Sequence, residues 1–167
     1  MTVLIAYATK YGATREVAEV VAEVLADGGV ECEVRDAGDM RDISEYSAVV
    51  LGSALYYFML HGDAKRFLAR NRKALAGMPV ALFALGPFSD TPDEMSSARG
   101  TVDKYLAKAD WLTPVAVAVF GGRHDPDNLR FPDNNPAMRK MPPSDARNWD
   151  TIRAWAATLP PLLGVSA

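Results

Sequence analysis

Val3-Leu4-Ile5-Ala6-Tyr7-Ala8-Thr9-Lys10-Tyr11-Gly12-Ala13-Thr14 passes from an apolar, partly β-branched run through a polar turn into an amphipathic helix. A near-continuous apolar run of this kind suits a strand covered on both faces. The helix is legible beyond it: Val17, Val20, Val21, Val24 and Leu25 recur at helical spacing opposite Arg15, Glu16, Glu19 and Glu23, and Gly28-Gly29 supplies the stop. The alternation then repeats. Residues 48–51, 79–85 and 115–120 are further apolar runs, whereas Glu31-Cys32-Glu33-Val34-Arg35 alternates polar and apolar positions, as an edge strand does. Short strands alternating with helices predict an α/β architecture around a mainly parallel sheet.

The other helices carry their own punctuation. Phe67, Leu68 and Leu75 give a second helix its apolar stripe, ended by Gly77 and Pro79. A third starts at Thr91-Pro92-Asp93-Glu94, where Thr91 can cap, Pro92 suits the first turn and Glu94 can close a capping box. Its apolar side is Met95, Ala98, Val102, Tyr105 and Leu106. The last carries Trp149, Ile152, Trp155 and Leu159, and Pro160-Pro161 forbids continuation. The second connection offers only a short helical turn at Asp42-Ile43-Ser44-Glu45. From 121 to 147 the chain is rich in Pro, Asp, Asn and Arg without helical period, which predicts a long loop. Structureless loops beyond ~12–15 residues inside a domain are usually functional or mobile.

Length and charge narrow the field. The 167 residues correspond to a single domain over 1–167, and 49% hydrophobic with 23% charged residues suffices for an ordinary globular core. A net charge of −3 lacks the basic footprint of a nucleic-acid binder. The lone cysteine, Cys32, reads as a small core residue and points to a reducing cytoplasm. The N-terminus lacks the basic start of a signal peptide, and the longest apolar stretch, 48–60, is too short for a membrane span. Peripheral membrane contact stays open.

In open α/β sheets ligands bind at the carboxyl ends of strands. There, Thr9-Lys10-Tyr11-Gly12-Ala13-Thr14 offers two hydroxyls, a glycine for tight backbone geometry and the N–H groups of a helix start, which together suit a phosphate. The turn is neither G-x-G-x-x-G nor a Walker A loop. It resembles the first loop of the flavodoxin family, Thr/Ser-x-Thr-Gly-x-Thr, with Thr9, Gly12 and Thr14 matching and Tyr11 standing where the family usually has a small hydroxyl residue. Two later loops extend the resemblance. Gly52-Ser53-Ala54-Leu55-Tyr56-Tyr57-Phe58 and Leu85-Gly86-Pro87-Phe88-Ser89-Asp90 fall where that family sandwiches its flavin ring. Aromatic side chains there can stack on the ring. The resemblance implies a doubly wound five-stranded parallel sheet of strand order 2-1-3-4-5. It also implies flavin mononucleotide (FMN) as cofactor, held by Thr9, Lys10, Tyr11, Gly12, Ala13, Thr14, Ser53, Ala54, Leu55, Tyr56, Tyr57, Gly86, Pro87, Phe88, Ser89 and Asp90.

Within this group the sequence is similar to the menaquinone-dependent protoporphyrinogen oxidases. Thr14-Arg15-Glu16-Val17-Ala18 resembles their first helix opening, Tyr57 and His61 fall where they have a Tyr and a His, and Met78-Pro79 repeats their approach to the fourth strand. A long segment after the fifth strand and a Trp-containing last helix match as well. Where that group tends to have Arg and Gly around the matched Tyr, this chain has Tyr56 and Phe58. The likeness implies a flavoprotein oxidoreductase passing electrons between a reduced donor and a quinone-like acceptor, porphyrinogen being one candidate substrate. Its partners are then a redox protein or a quinone-like small molecule.

Two other functions stay open: a flavodoxin proper, carrying electrons between proteins, and a flavin-free interaction module in which the bulky 56–58 run fills the pocket. A phosphoacceptor receiver is excluded, because Gly52-Ser53 stands where its aspartate belongs. His61 is a candidate proton donor near the ring edge or a plain helix-start residue. His124-Asp125-Pro126-Asp127 lacks metal-ligand spacing and reads as solvated loop, so no metal is expected. Lys65, Arg66, Arg70, Arg72 and Lys73 form a basic helix face that reads as solvated.

Overall fold

The computed structural model describes residues 1–56 and 59–165. In chain order its elements are β1 (Thr2–Ala8), α1 (Ala13–Asp27), β2 (Cys32–Asp36), β3 (Tyr46–Tyr56), β4 (Met59–Leu60), α2 (Gly62–Arg70), α3 (Arg72–Leu75), β5 (Val80–Leu85), α4 (Pro92–Lys108), β6 (Ala116–Phe120), β7 (Arg123–His124), α5 (Pro136–Lys140), β8 (Ser144–Asp145), α6 (Trp149–Ala157) and α7 (Leu159–Leu162). The main sheet runs β2-β1-β3-β5-β6 with every neighbouring pair parallel. With the two-residue β4 set aside, this is the order 2-1-3-4-5. At its centre Ile5 lies opposite Val34 on one side and Val50 on the other.

Strand periodicity divides the core. Val3 and Ile5 face a layer formed by Val17, Val21 and Leu25 of α1 and Ile152 and Ala156 of α6. Leu4 and Ala6 face the opposite layer, with Ala64, Phe67 and Leu68 of α2 and Leu75 of α3. The first layer holds an aromatic cluster in which Phe83, Phe120 and Trp155 lie 5.7–6.1 Å apart between ring centroids. Phe83 also explains Gly52 on the adjacent strand, where an added Cβ would lie 2.1 Å from the Phe83 ring.

Several local expectations need correction. The 42–45 stretch is not helical; the second connection instead makes a 3₁₀ turn at Ala37–Asp39, capped by the Asp36 side chain accepting from Gly38 N, while Ile43 plugs the core. The second helix breaks at Asn71, whose side chain donates to Phe67 O at 3.0 Å, so two shorter helices replace one. Thr91 does cap α4 at 3.4 Å from Glu94 N, but the Glu94 side chain bonds the Ser89 hydroxyl. Helix α6 stops before Pro160-Pro161, yet both prolines open α7, where their missing N–H groups cost nothing. Cys32 is half-buried on the edge strand and donates weakly to Ala22 O at 3.4 Å, and burial pushes its thiol pKa up.

The 121–147 stretch has more structure than a loop. β7 and β8 pair antiparallel, Arg123 opposite Asp145 and His124 opposite Ser144, and between them lie a 3₁₀ turn at Pro126–Asn128 and the short α5. Asn135 caps α5 by accepting from Met138 N at 3.0 Å. Basic side chains of α2 and α3 are partly engaged: Arg66 bonds Asp63, and Arg72 lies over the Trp111 ring at 5.4 Å.

Candidate functional site

The turn after β1 takes its shape from local chemistry. Gly12 adopts φ +90°, a left-handed conformation that other residues rarely adopt, and starts α1 without a side-chain cap. Thr9 Oγ1 accepts from Gly12 N at 2.9 Å and closes the turn. Neither threonine is the helix cap. Thr14 is 1% exposed, and its hydroxyl has no hydrogen-bond partner among the described residues. A buried hydroxyl without a partner costs about 1–3 kcal/mol, a cost that a hydrogen bond to a bound group could relieve.

That hydroxyl borders a cavity of about 930 Å³. Thr9, Tyr11, Ala13 and Thr14 line one end. Ala54, Leu55 and Tyr56 from β3 line a second wall, and Gly86, Pro87, Phe88 and Ser89 after β5 line a third. The three expected loops therefore converge. Gly86 is close against Leu55, where an added Cβ would lie 2.9 Å from Leu55 Cδ1. Burial raises the pKa of the Tyr56 phenol well above its ordinary value, so the side chain stays neutral.

The remaining expected residues serve otherwise. Ser53 is buried, donates to Ala54 O at 2.9 Å and accepts from His61 N at 3.0 Å, bracing the β3–β4 hairpin. Asp90 lies outside the large cavity and lines a shallower neighbour of about 580 Å³ together with Phe88 and Ser89. Tyr57, with Phe58, lies outside the described residues. His61 caps α2, Nδ1 accepting from Asp63 N at 3.0 Å, and is not among the residues lining the large cavity. Burial lowers its pKa, with Asp63 acting in the opposite direction.

The fourth wall comes from the long segment that the sequence marked as functional or mobile, although none of its residues was expected in the site. Arg123, His124, Asp133 and Met138 reach the cavity from the 121–147 segment, and Ala98 and Thr101 reach it from α4. His124 is not solvated: it is 3% exposed, packs on Phe88 at 4.7 Å between ring centroids, and its Nε2 lies 3.0 Å from Met138 O. Arg123 donates to Glu16 at 2.8 Å and to Tyr11 O at 3.1 Å. The Arg147 side chain, 4% exposed, pairs with Asp145 at 2.7 Å and Glu16 at 3.1 Å and lies over Trp149.

Lys10 and Tyr11 face this segment. Lys10 Nζ pairs with Asp133 at 2.8 Å, and the Tyr11 hydroxyl donates to the same carboxylate at 2.6 Å. Burial acts to lower the Lys10 pKa, but its bonds to Asp133 and Tyr11 outweigh that and leave it raised. Tyr11 also packs edge-on to Tyr56 at 6.5 Å. Its departure from a small hydroxyl residue thus joins the first turn to a segment about 120 residues away in sequence.

The family model of the flavodoxin domain matches residues 4–141. Protoporphyrinogen IX dehydrogenase [quinone] of Escherichia coli K12 is 29% identical over 139 residues, which cover 79% of this chain and 71% of that protein. Among solved structures, flavodoxin 1 of Bacillus cereus in its oxidised form superposes with a TM-score of 0.61 at 19% identity, covering 94% of this chain and 95% of that one. A flavodoxin mutant of Pseudomonas aeruginosa gives 0.63 at 16% identity, covering 98% and 99%. With most of its length matched by that family model and the expected sheet order in place, the chain belongs to the flavodoxin domain family.

Proposed function

We propose that this protein is an FMN-binding oxidoreductase that passes electrons between a reduced donor and a quinone-like acceptor. The observation that carries the reading is the partnerless Thr14 hydroxyl at one end of a cavity that continues between Tyr56 and Phe88. The residues present fit the cofactor. Thr9, Gly12, Ala13 and Thr14 would hold the phosphate through hydroxyls and the N-terminal N–H groups of α1. Leu55, Tyr56, Pro87 and Phe88 would flank the ring. FMN supplies the electron chemistry when bound; the chain supplies orientation and exclusion of water.

The fourth wall supports a small apolar acceptor. Leu129, Ala137, Met138 and Met141 give it an apolar lining beside the proposed ring site, which suits a small apolar molecule. The name of the E. coli relative supports a quinone in that role and a porphyrinogen as one candidate donor. The same wall counts against a pure electron carrier, whose ring edge must be open to a protein. A cavity of this volume counts against a flavin-free module. No described helix is long and apolar enough to cross a membrane. The unpaired Cys32 supports a cytoplasmic setting.

The test is an absorbance spectrum of the purified protein with and without added FMN, followed by stopped-flow reoxidation. The reading predicts a flavin spectrum and reoxidation by soluble quinones. No retained flavin overturns the cofactor, and reoxidation by protein acceptors alone overturns the enzyme.

A further inference from the structure

Asp133 is a carboxylate only 6% exposed, although Phe131 two residues before it is 84% exposed. It is held by polar contacts. Lys10 Nζ at 2.8 Å and the Tyr11 hydroxyl at 2.6 Å both bind it. The same two residues fasten the flanking chain: Lys10 Nζ also donates to Phe131 O at 3.2 Å, Arg130 N donates to the Tyr11 hydroxyl at 3.2 Å, and the Arg130 guanidinium lies 5.3 Å from the Tyr11 ring centre. Asp133 lines the same cavity as Thr9, Ala13 and Thr14. A negative group and an anion-seeking turn therefore share one space.

We infer that Asp133 is a built-in anion that competes with an incoming phosphate for Lys10 and Tyr11, and so sets how strongly the site prefers a phosphorylated flavin over an unphosphorylated one. The inference rests on the FMN reading above. A phosphate monoester carries a charge of about −1.5 to −2 near neutrality, and a carboxylate sharing its site repels it. The conflict is relieved when Lys10 and Tyr11 exchange the carboxylate for the phosphate and the exposed 130–132 stretch carries Asp133 toward solvent. Binding of a phosphorylated flavin then carries the cost of releasing the strap; riboflavin, with no phosphate, leaves it closed. Asp133 thereby narrows the preference for FMN and makes the cofactor exchangeable.

Flavin titrations of the full chain and its Asp133→Asn variant test this. FMN affinity should rise about tenfold in the variant while riboflavin affinity stays within about twofold. Weaker FMN binding, or an equal shift for both flavins, overturns the inference and leaves the FMN reading intact. A flavin-free arm follows tryptic cleavage after Arg130 by mass spectrometry. Inorganic phosphate should speed that cut in the wild type relative to chloride at matched ionic strength. In the variant the cut should be fast without phosphate. Protection by phosphate, or no response, contradicts the competition. If neither protein holds any flavin, the proposed function falls, and the phosphate-dependent cleavage decides the competition by itself.

Discussion

The turn after β1 and the segment from β7 to β8 border the same cavity but are built by different means. The turn is self-contained: Thr9 closes it onto Gly12, the glycine supplies the left-handed residue, and α1 anchors it through Val17 and Ala18 in the core. The segment is tied down largely by side chains that reach across the fold. Arg123 and Arg147 converge on Glu16, and Asp133 on Lys10 and Tyr11, each pair separated by more than 100 residues in sequence. One region is rigid because burial and backbone geometry fix it. The other rests on polar anchors, and Arg130, Phe131 and Pro132 in its middle are exposed, which favours local opening.

The largest test of that contrast lies in the sheet. Phe83→Ala removes the centre of the aromatic cluster and leaves a void under Gly52, so unfolding in urea should show a loss of about 3–5 kcal/mol across the whole molecule. A loss confined to 121–147 would break the comparison. Arg147→Ala should act in the opposite manner, costing about 1–2 kcal/mol, held down because its partners Glu16 and Asp145 are both partly exposed. Hydrogen exchange should quicken in 121–147 while the β1 and β3 amides keep their protection.

Acid sharpens the same point. The hydrogen bond from Arg147 lowers the Asp145 pKa, with burial opposing. A depressed folded pKa means stability that is present above the ordinary carboxylate value of about 3.9 and is lost as pH falls through the lower folded value. Protection of the β7–β8 pair should therefore fall in that window before the sheet melts, and Arg147→Ala should weaken the dependence, leaving only the backbone hydrogen bond of residue 147 and the Arg123 charge to act on Asp145. The smallest effect belongs to Tyr11→Phe, which removes one hydroxyl from Asp133 and should cost about 0.5–1.5 kcal/mol, read as faster exchange at 130–133 with an unchanged sheet.

What the sequence made legible follows the same division. The strands themselves, the Gly12 turn, the Thr91 cap and the edge character of β2 rest on short-range patterns, and all are present; the strand order, also present, followed from the family resemblance. The break at Asn71 was hidden because Phe67, Leu68 and Leu75 keep helical spacing across it. His124 read as solvated because its neighbours Asp125 and Asp127 are polar, while the ring that buries it, Phe88, lies far away in sequence. Asp133 carried no local signal, since its partners Lys10 and Tyr11 are more than 120 residues distant. The one hint was Tyr11 itself, a bulky phenol where a small hydroxyl was expected.

If the Thr14 hydroxyl receives a phosphate, FMN titration of the wild type against Thr14→Ala will show it. The account predicts FMN binding weakened by about 1.5–3 kcal/mol in the variant, from loss of a charge-assisted hydrogen bond. Stability of the flavin-free protein should be no lower, because the hydroxyl has no other partner among the described residues. Equal FMN affinity in the two proteins would contradict it.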